Sequence, residues 1–175
     1  MLHTLCEQVL NGQCETPPSL AKVSRVLDRL RVNQAKAEQA WRVDAQWQPV
    51  ASGSWLLGYV DVTFTRDGLL HVYDFKSGKP YPSHKSQLEL YALLGLAQNL
   101  EAPAVSVGAI YLDTGKIGAQ RTIDRVEAMT LRANWTSRAL ALMADEAYQP
   151  KRGRGCYRCA FKDSLGGPCS AWKAG

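Results

Sequence analysis

Two strand-like runs joined by Arg66-Asp67-Gly68 constrain this chain more than any other stretch. Leu56–Phe64 and Leu69–Phe75 are rich in β-branched and aromatic residues, and Asp-Gly between such runs signals a tight hairpin. Each run carries one carboxylate among apolar neighbours, Asp61 in the first and Asp74 in the second. Lys76 follows Asp74 by two residues, so the two share a face of a period-2 strand. Gly78-Lys79-Pro80 ends the run. A helix bearing Gln87 and Tyr91, one turn apart, comes next. Two neighbouring carboxylates repel unless a proton or a cation lies between them. Their hard oxygens suit Mg²⁺ or Mn²⁺, and a nearby lysine adds a cationic stabiliser, which together are the parts needed for phosphodiester hydrolysis. Ordinary surface ion pairs are the alternative. The apolar neighbours Val60, Val62, Tyr73 and Phe75 argue for burial instead.

Around the hairpin the hydrophobic period changes several times. Leu2–Leu10 has helical spacing and ends at Asn11-Gly12. Ser19 is placed to cap a helix over Leu20–Asn33, with Leu20, Val23, Val26, Leu27 and Leu30 as its apolar stripe. From Ala37 to Val50 the pattern alternates, putting Trp41, Val43, Ala45 and Trp47 on one face of a long strand and Glu38 on the other. A helix is expected over about Ser83–Asn99 and a strand over Val105–Leu112. A second hairpin turns at Asp113-Thr-Gly-Lys and returns through Gly118–Ile123. Val126–Ala147 reads as a long helix with Met129, Ala133, Leu140 and Met143 on its apolar side. The order implies an α/β fold with a central mixed β-sheet flanked by helices, the strands before and after the Ser83–Asn99 helix being parallel. The division expected is a core over 1–150 and a basic, Cys-bearing C-terminal tail over 151–175.

At 175 residues, 46% hydrophobic and 21% charged, the chain can bury a real core. No apolar run approaches membrane-span length, and the N-terminus lacks the basic start and apolar core of a signal peptide. An intracellular, cytoplasmic setting is expected, in which the five cysteines serve as thiols or metal ligands. The net charge of +5 is weak evidence for a polyanionic partner. Its distribution says more, since Lys151, Arg152, Arg154, Arg158 and Lys162 crowd the C-terminal cysteines and Lys76, Lys79 and Lys85 flank the hairpin.

Gly58-Tyr-Val-Asp61, Asp74-Phe-Lys76-Ser-Gly-Lys79 and Gln87-Leu-Glu-Leu-Tyr91-Ala, taken in order, resemble the PD-(D/E)XK nuclease superfamily. They are most similar to its RecB-like exonuclease branch, which includes phage-encoded members, and three elements in order are far more specific than any one. The resemblance implies a restriction-endonuclease-like core and a metal-dependent DNA nuclease, an exonuclease, in a cell or a phage-infected bacterial host. It implies partners in recombination or replication besides DNA. Asp61 and Asp74 would bind Mg²⁺ or Mn²⁺, joined by the Phe75 carbonyl and by His3, whose His3-Thr-Leu-Cys-Glu7 resembles the branch's H-x-x-x-E helix. Lys76 would be catalytic. Glu38, in Glu38-Gln-Ala-Trp41, resembles the acidic residue that opens the preceding strand. Gln87 and Tyr91 would hold the substrate backbone, with Lys85, and more weakly His84, touching phosphate. The alternative is a non-catalytic DNA-binding or assembly subunit of the same fold.

Cys156-Tyr-Arg-Cys159 and Cys169 sit in a turn-rich stretch that looks nothing like a thioredoxin strand–helix junction, which argues against redox catalysis. They resemble the cysteine cluster of iron–sulfur members of the same branch, which implies a [4Fe–4S] cluster tying the chain ends together. In those members a fourth cysteine precedes the histidine helix, where this chain begins. Cys14, freer in a loop than helical Cys6, is the expected substitute. Zinc, or no metal at all, are the other outcomes.

Overall fold

A computed structural model describes residues 2–147, 149–150 and 152–170. By internal packing the chain divides into two compact units, Met1–Thr136 and Ser137–Gly175. In chain order the elements are α1 (Leu2–Leu10), a 3₁₀ turn (Pro18–Leu20), α2 (Ser24–Val32), β1 (Lys36–Val43), β2 (Leu56–Arg66), β3 (Leu69–Lys76), α3 (Pro82–Gln98), β4 (Ala104–Tyr111), β5 (Lys116–Ile117), β6 (Arg121–Asp124) and α4 (Arg125–Met143). Two further 3₁₀ turns follow, Arg154–Arg158 and Asp163–Leu165.

The strands form one mixed sheet in the order β1-β2-β3-β4-β5, with β6 also pairing β4. β1, β2 and β3 are antiparallel neighbours, and β3 and β4 are parallel, joined through α3 as a strand–helix–strand unit requires. The β2–β3 turn forms as the Asp-Gly signal demands, with Asp67 at φ 52° and Gly68 at φ 75°. Alternation sorts β3 into two cores. Leu70 and Val72 pack with Trp41, Val105, Val107 and the apolar face of α3. Tyr73 and Phe75 face the other way, onto Cys6, Val9, Leu20, Leu27 and Leu30 from α1, the first 3₁₀ turn and α2. Each fully buried leucine in these layers contributes about 1.5–3 kcal/mol. The mixed sheet with helices on its faces is the architecture the sequence implies.

Four local expectations change. β1 stops at Val43, because the Asp44 carboxylate accepts the Gln46 and Gln48 N–H groups and folds the chain into a turn that competes with the ladder. Trp47 is still buried, but from this turn and at φ 61°, edge-on to Trp55, while Ala45 is exposed. Leu20 belongs to a 3₁₀ turn, and α2 begins only at Ser24. The return strand is split into β5 and β6, since three residues, 118–120, stand opposite two of β4 between the pairs Ile110↔Ile117 and Val107↔Arg121, a one-residue bulge. On α4 the expected stripe is solvent-facing, with Met129, Leu140 and Met143 exposed, and Ala128, Leu131 and Trp135 make the contacts with the sheet core.

Gly115 ties the β4–β5 turn to the chain just before α2. It holds φ +68°, and a Cβ there would overlap the carbonyl of Lys22. Gly115→Ala therefore combines left-handed strain with a backbone clash and is expected to destabilise the protein by about 2–4 kcal/mol. Urea unfolding reads this directly, and a loss below about 1 kcal/mol would contradict it.

Candidate active site

Asp61 sits where β2 breaks its own alternation. Val60 packs with the α3-side core and Val62, two residues on, with the α1/α2-side core. The β2–β3 ladder reaches Val62↔Tyr73 as its last pair, so the strands part at Asp61 and Asp74. Phe75 N–H is taken instead by Asp61 Oδ2 at 2.6 Å. On the far side, the β1 register (Ala37↔Val62, Gln39↔Val60) sets Glu38 opposite Asp61. Glu38 holds φ 49°, a costly conformation for a residue with a side chain. Burial pushes the Asp61 carboxyl up to about 6. The charge of Asp74 adds to the rise, with a smaller push from Glu38, while the Phe75 hydrogen bond and His3 oppose it.

Asp74 is 2% exposed, and its partners come from its own strand and from α3. Lys76 Nζ lies 2.5 Å from Asp74 Oδ2 and donates to Gln87 Oε1 at 2.7 Å. Gln87 Nε2 donates to Asp74 Oδ1 at 3.1 Å and to Tyr91 Oη at 2.8 Å. The lysine contact with Asp74 Oδ2 lies off the hydrogen-bonding direction, so that oxygen carries an ion pair without a directed hydrogen bond. Burial pushes the Tyr91 phenol up to about 12, so it stays neutral. Gly58 explains how α3 comes this close. A Cβ there would stand 2.5 Å from Leu94 Cδ1 and 3.4 Å from Tyr91 Cε1. The glycine of G-x-x-D is thus a spacer for the helix that delivers Gln87 and Tyr91.

His3, on α1, places Nδ1 3.7 Å from Asp61 Oδ2 and its ring edge-on to Phe75. The structure therefore gathers His3, Asp61, Asp74, Phe75, Lys76, Gln87 and Tyr91. Glu38 borders this group but is exposed. Lys85 is exposed and lines a separate cavity, as His84 does. Sequence patterning missed Asp113, whose carboxylate accepts the Gly78 N–H and pins the end of β3. Local sequence marks Asp113 only as a turn residue, and the β3–β4 pairing brings it to Gly78.

No disulfide joins the cysteines among the described residues. In the Ser137–Gly175 unit, Cys169 N–H bonds to Phe161 O, Asp163 N–H to Cys169 O, and Cys159 N–H to Cys156 O. These bonds fold the segment onto itself. Even so, among the described residues no group of three His, Cys, Asp or Glu is assembled as a metal-holding set. Neither Cys156, Cys159 and Cys169, expected to hold iron–sulfur or zinc, nor His3, Asp61 and Asp74 make up such a set, so the cluster has no support here. Cys14 is exposed, and burial pushes the Cys6 thiol up to about 11, which disfavours the thiolate a metal needs. Lys151 lies outside the described residues.

A solved structure described as the crystal structure of SSO0001 aligns with 84% of this chain at 21% identity and a TM-score of 0.44. This chain spans 66% of that protein's length. No curated protein matches significantly. No helix among the described residues is long and apolar enough to cross a membrane. The family model of the PD-(D/E)XK nuclease superfamily matches residues 2–164, which include every residue of the Asp61–Tyr91 network. The chain belongs to the PD-(D/E)XK nuclease superfamily.

Proposed function

We propose that this protein is a divalent-cation-dependent DNA nuclease of the RecB-like branch, an exonuclease that hydrolyses phosphodiester bonds inside a cell, alongside recombination or replication proteins. The observation that carries this reading is the buried Asp74–Lys76–Gln87 network beside Asp61. Two carboxylates in a low-dielectric pocket, one with its pKa raised by burial and then by the other, are a hard-oxygen donor set that fits Mg²⁺ or Mn²⁺. Asp61, Asp74 and the Phe75 carbonyl would hold the ion, with His3 at the edge. When bound, the ion supplies Lewis-acid polarisation of the phosphate and lowers the pKa of water.

The chain's own residues do the rest. Lys76 is held on two sides, by Asp74 and by Gln87, so its ammonium is positioned before substrate arrives and can stabilise charge developing on a phosphate oxygen. Gln87 has its amide orientation determined by three partners. It transmits the position of α3 to both Lys76 and Asp74. The Asp61–Phe75 bond holds the parted strands in register.

The test is a gel assay on end-labelled DNA, single- and double-stranded, linear and circular, with Mn²⁺ or with EDTA. Degradation of linear substrate only, lost in EDTA, is expected. Cutting of circular DNA would refute exonuclease action. The second reading, a non-catalytic DNA-binding subunit, draws on Lys76 closing over Asp74 Oδ2. It predicts binding that EDTA leaves unchanged, with no turnover.

A further inference from the structure

A cavity of about 510 Å³ opens beside this network, between the start of α3 and β4–β6. Its floor is apolar, made by Leu88 of α3 and by Val107 and Ala109 of β4. Its walls are rings. Tyr81 lies 6.4 Å from the His84 ring, which lies 6.1 Å from the Tyr111 ring, and His84 Nδ1 is 3.3 Å from Tyr111 Oη. Tyr81 is 68% exposed, an aromatic side chain left at the rim with little of its surface covered. The cavity is one strand away from the proposed catalytic residues. β3 and β4 pair Asp74 with Ala109 and Lys76 with Tyr111, and neighbouring strands lie about 4.8 Å apart.

Charge decides what fits. Arg121, the cation deepest in this lining, is already held by Glu89 at 2.5 Å and by Glu127. A phosphate there would meet two carboxylates and an apolar floor. A flat, neutral, aromatic group would meet rings and methyl groups. Gln120 also borders the cavity, but its Oε1 accepts from Tyr73 Oη and Ser106 Oγ, on the sheet face opposite the Val107–Ala109 floor. Lys85 stands exposed at the rim, where the attached backbone phosphate would lie.

We propose that this cavity is a slot for one unstacked nucleobase next to the scissile phosphate, with Tyr81 as its stacking platform. A base lowered onto the β4 floor cannot stay paired, so the slot selects single-stranded or frayed DNA. The proposal rests on the nuclease reading for the position of the scissile phosphate, but binding tests it without turnover.

Two measurements separate the readings. In the first, a fluorescein-labelled oligodeoxythymidylate is titrated in EDTA with wild type, Tyr81→Ala and Tyr81→Phe. Base stacking on an aromatic ring accounts for roughly a ten-fold change in affinity, so Tyr81→Ala is expected to raise Kd about ten-fold while Tyr81→Phe keeps the wild-type value. In the second, a series of oligonucleotides carries one abasic nucleotide at each position in turn. One position near the cleaved bond is expected to raise KM about ten-fold for wild type and to have no effect on Tyr81→Ala. Equal affinities of wild type and Tyr81→Ala, or cleavage with no position-specific abasic penalty, overturn the slot and leave the nuclease standing. The Tyr81 signature in EDTA without cleavage under any metal keeps the slot and removes the nuclease. No binding to any oligonucleotide removes both.

Discussion

Lys76→Met and Asp74→Asn proteins are expected to cleave DNA at least about 10²–10³-fold more slowly than wild type, the loss typical of removing one charged or polar group from a transition-state site. Their stabilities should diverge. Lys76→Met leaves Asp74, only 2% exposed, charged with Gln87 as its remaining side-chain donor. Stranding a buried charge in this way costs on the order of 3 kcal/mol. The double variant Asp74→Asn/Lys76→Met removes the stranded charge and should regain most of that stability, yet stay inactive. A purely structural ion pair would give the opposite association, with activity returning alongside stability. Single-turnover cleavage and urea unfolding on the four proteins decide the matter, and wild-type cleavage by either single variant would end the catalytic assignment.

Asp61→Asn is expected to destroy cleavage and yet stabilise the metal-free protein at neutral pH. The Asp61 carboxyl sits at about 6 in the fold against its ordinary 3.8, because burial and Asp74 both oppose its charge. A raised folded pKa means the folded state binds the proton more tightly. The stabilisation is therefore complete below the unfolded value of 3.8 and is lost as pH rises to about 6 and beyond. The rise from 3.8 to about 6 corresponds to roughly 3 kcal/mol, and with the side chain 13% exposed little of this is screened. In EDTA, wild type should lose stability between pH 4 and pH 7 relative to Asp61→Asn. The asparagine carbonyl can still accept the Phe75 N–H. At pH 7.5, Mg²⁺ should raise the melting temperature of wild type and leave the variant unmoved. Parallel stability–pH curves for the two proteins would refute the repulsion on which the metal assignment rests.

The hairpin, the α3 helix and the parallel β3–β4 pair were legible because local chemistry determined them. Asp67-Gly68 takes φ values that fit only a tight turn, and Leu70, Val72, Tyr73 and Phe75 alternate as a two-sided buried strand must. The end of β1 was not legible, since alternation through Trp47 says nothing about the side chain of Asp44 competing for the backbone. The α4 stripe misled for a related reason. Helical periodicity shows that one face is apolar, and only packing decides that Ala128, Leu131 and Trp135 meet the sheet.

For the candidate site, residue types and spacing singled out Asp61, Asp74 and Lys76 as a group on one hairpin, and the family resemblance, carried by three motifs in order, gave Gln87 and Tyr91 their roles. What spacing could not supply is how these motifs meet. The break in β2 that turns Asp61 toward Phe75 N–H depends on strands parting after Val62↔Tyr73. The close approach of α3 depends on a missing Cβ at Gly58. The ring-lined cavity draws Tyr81 and Tyr111 from segments that no local pattern connects. Sequence determined the chemistry carried by each element. Tertiary structure decided the distances, through burial and pairing between residues far apart in the chain, and those distances decide whether two carboxylates and a lysine form a surface ion pair or a candidate active site.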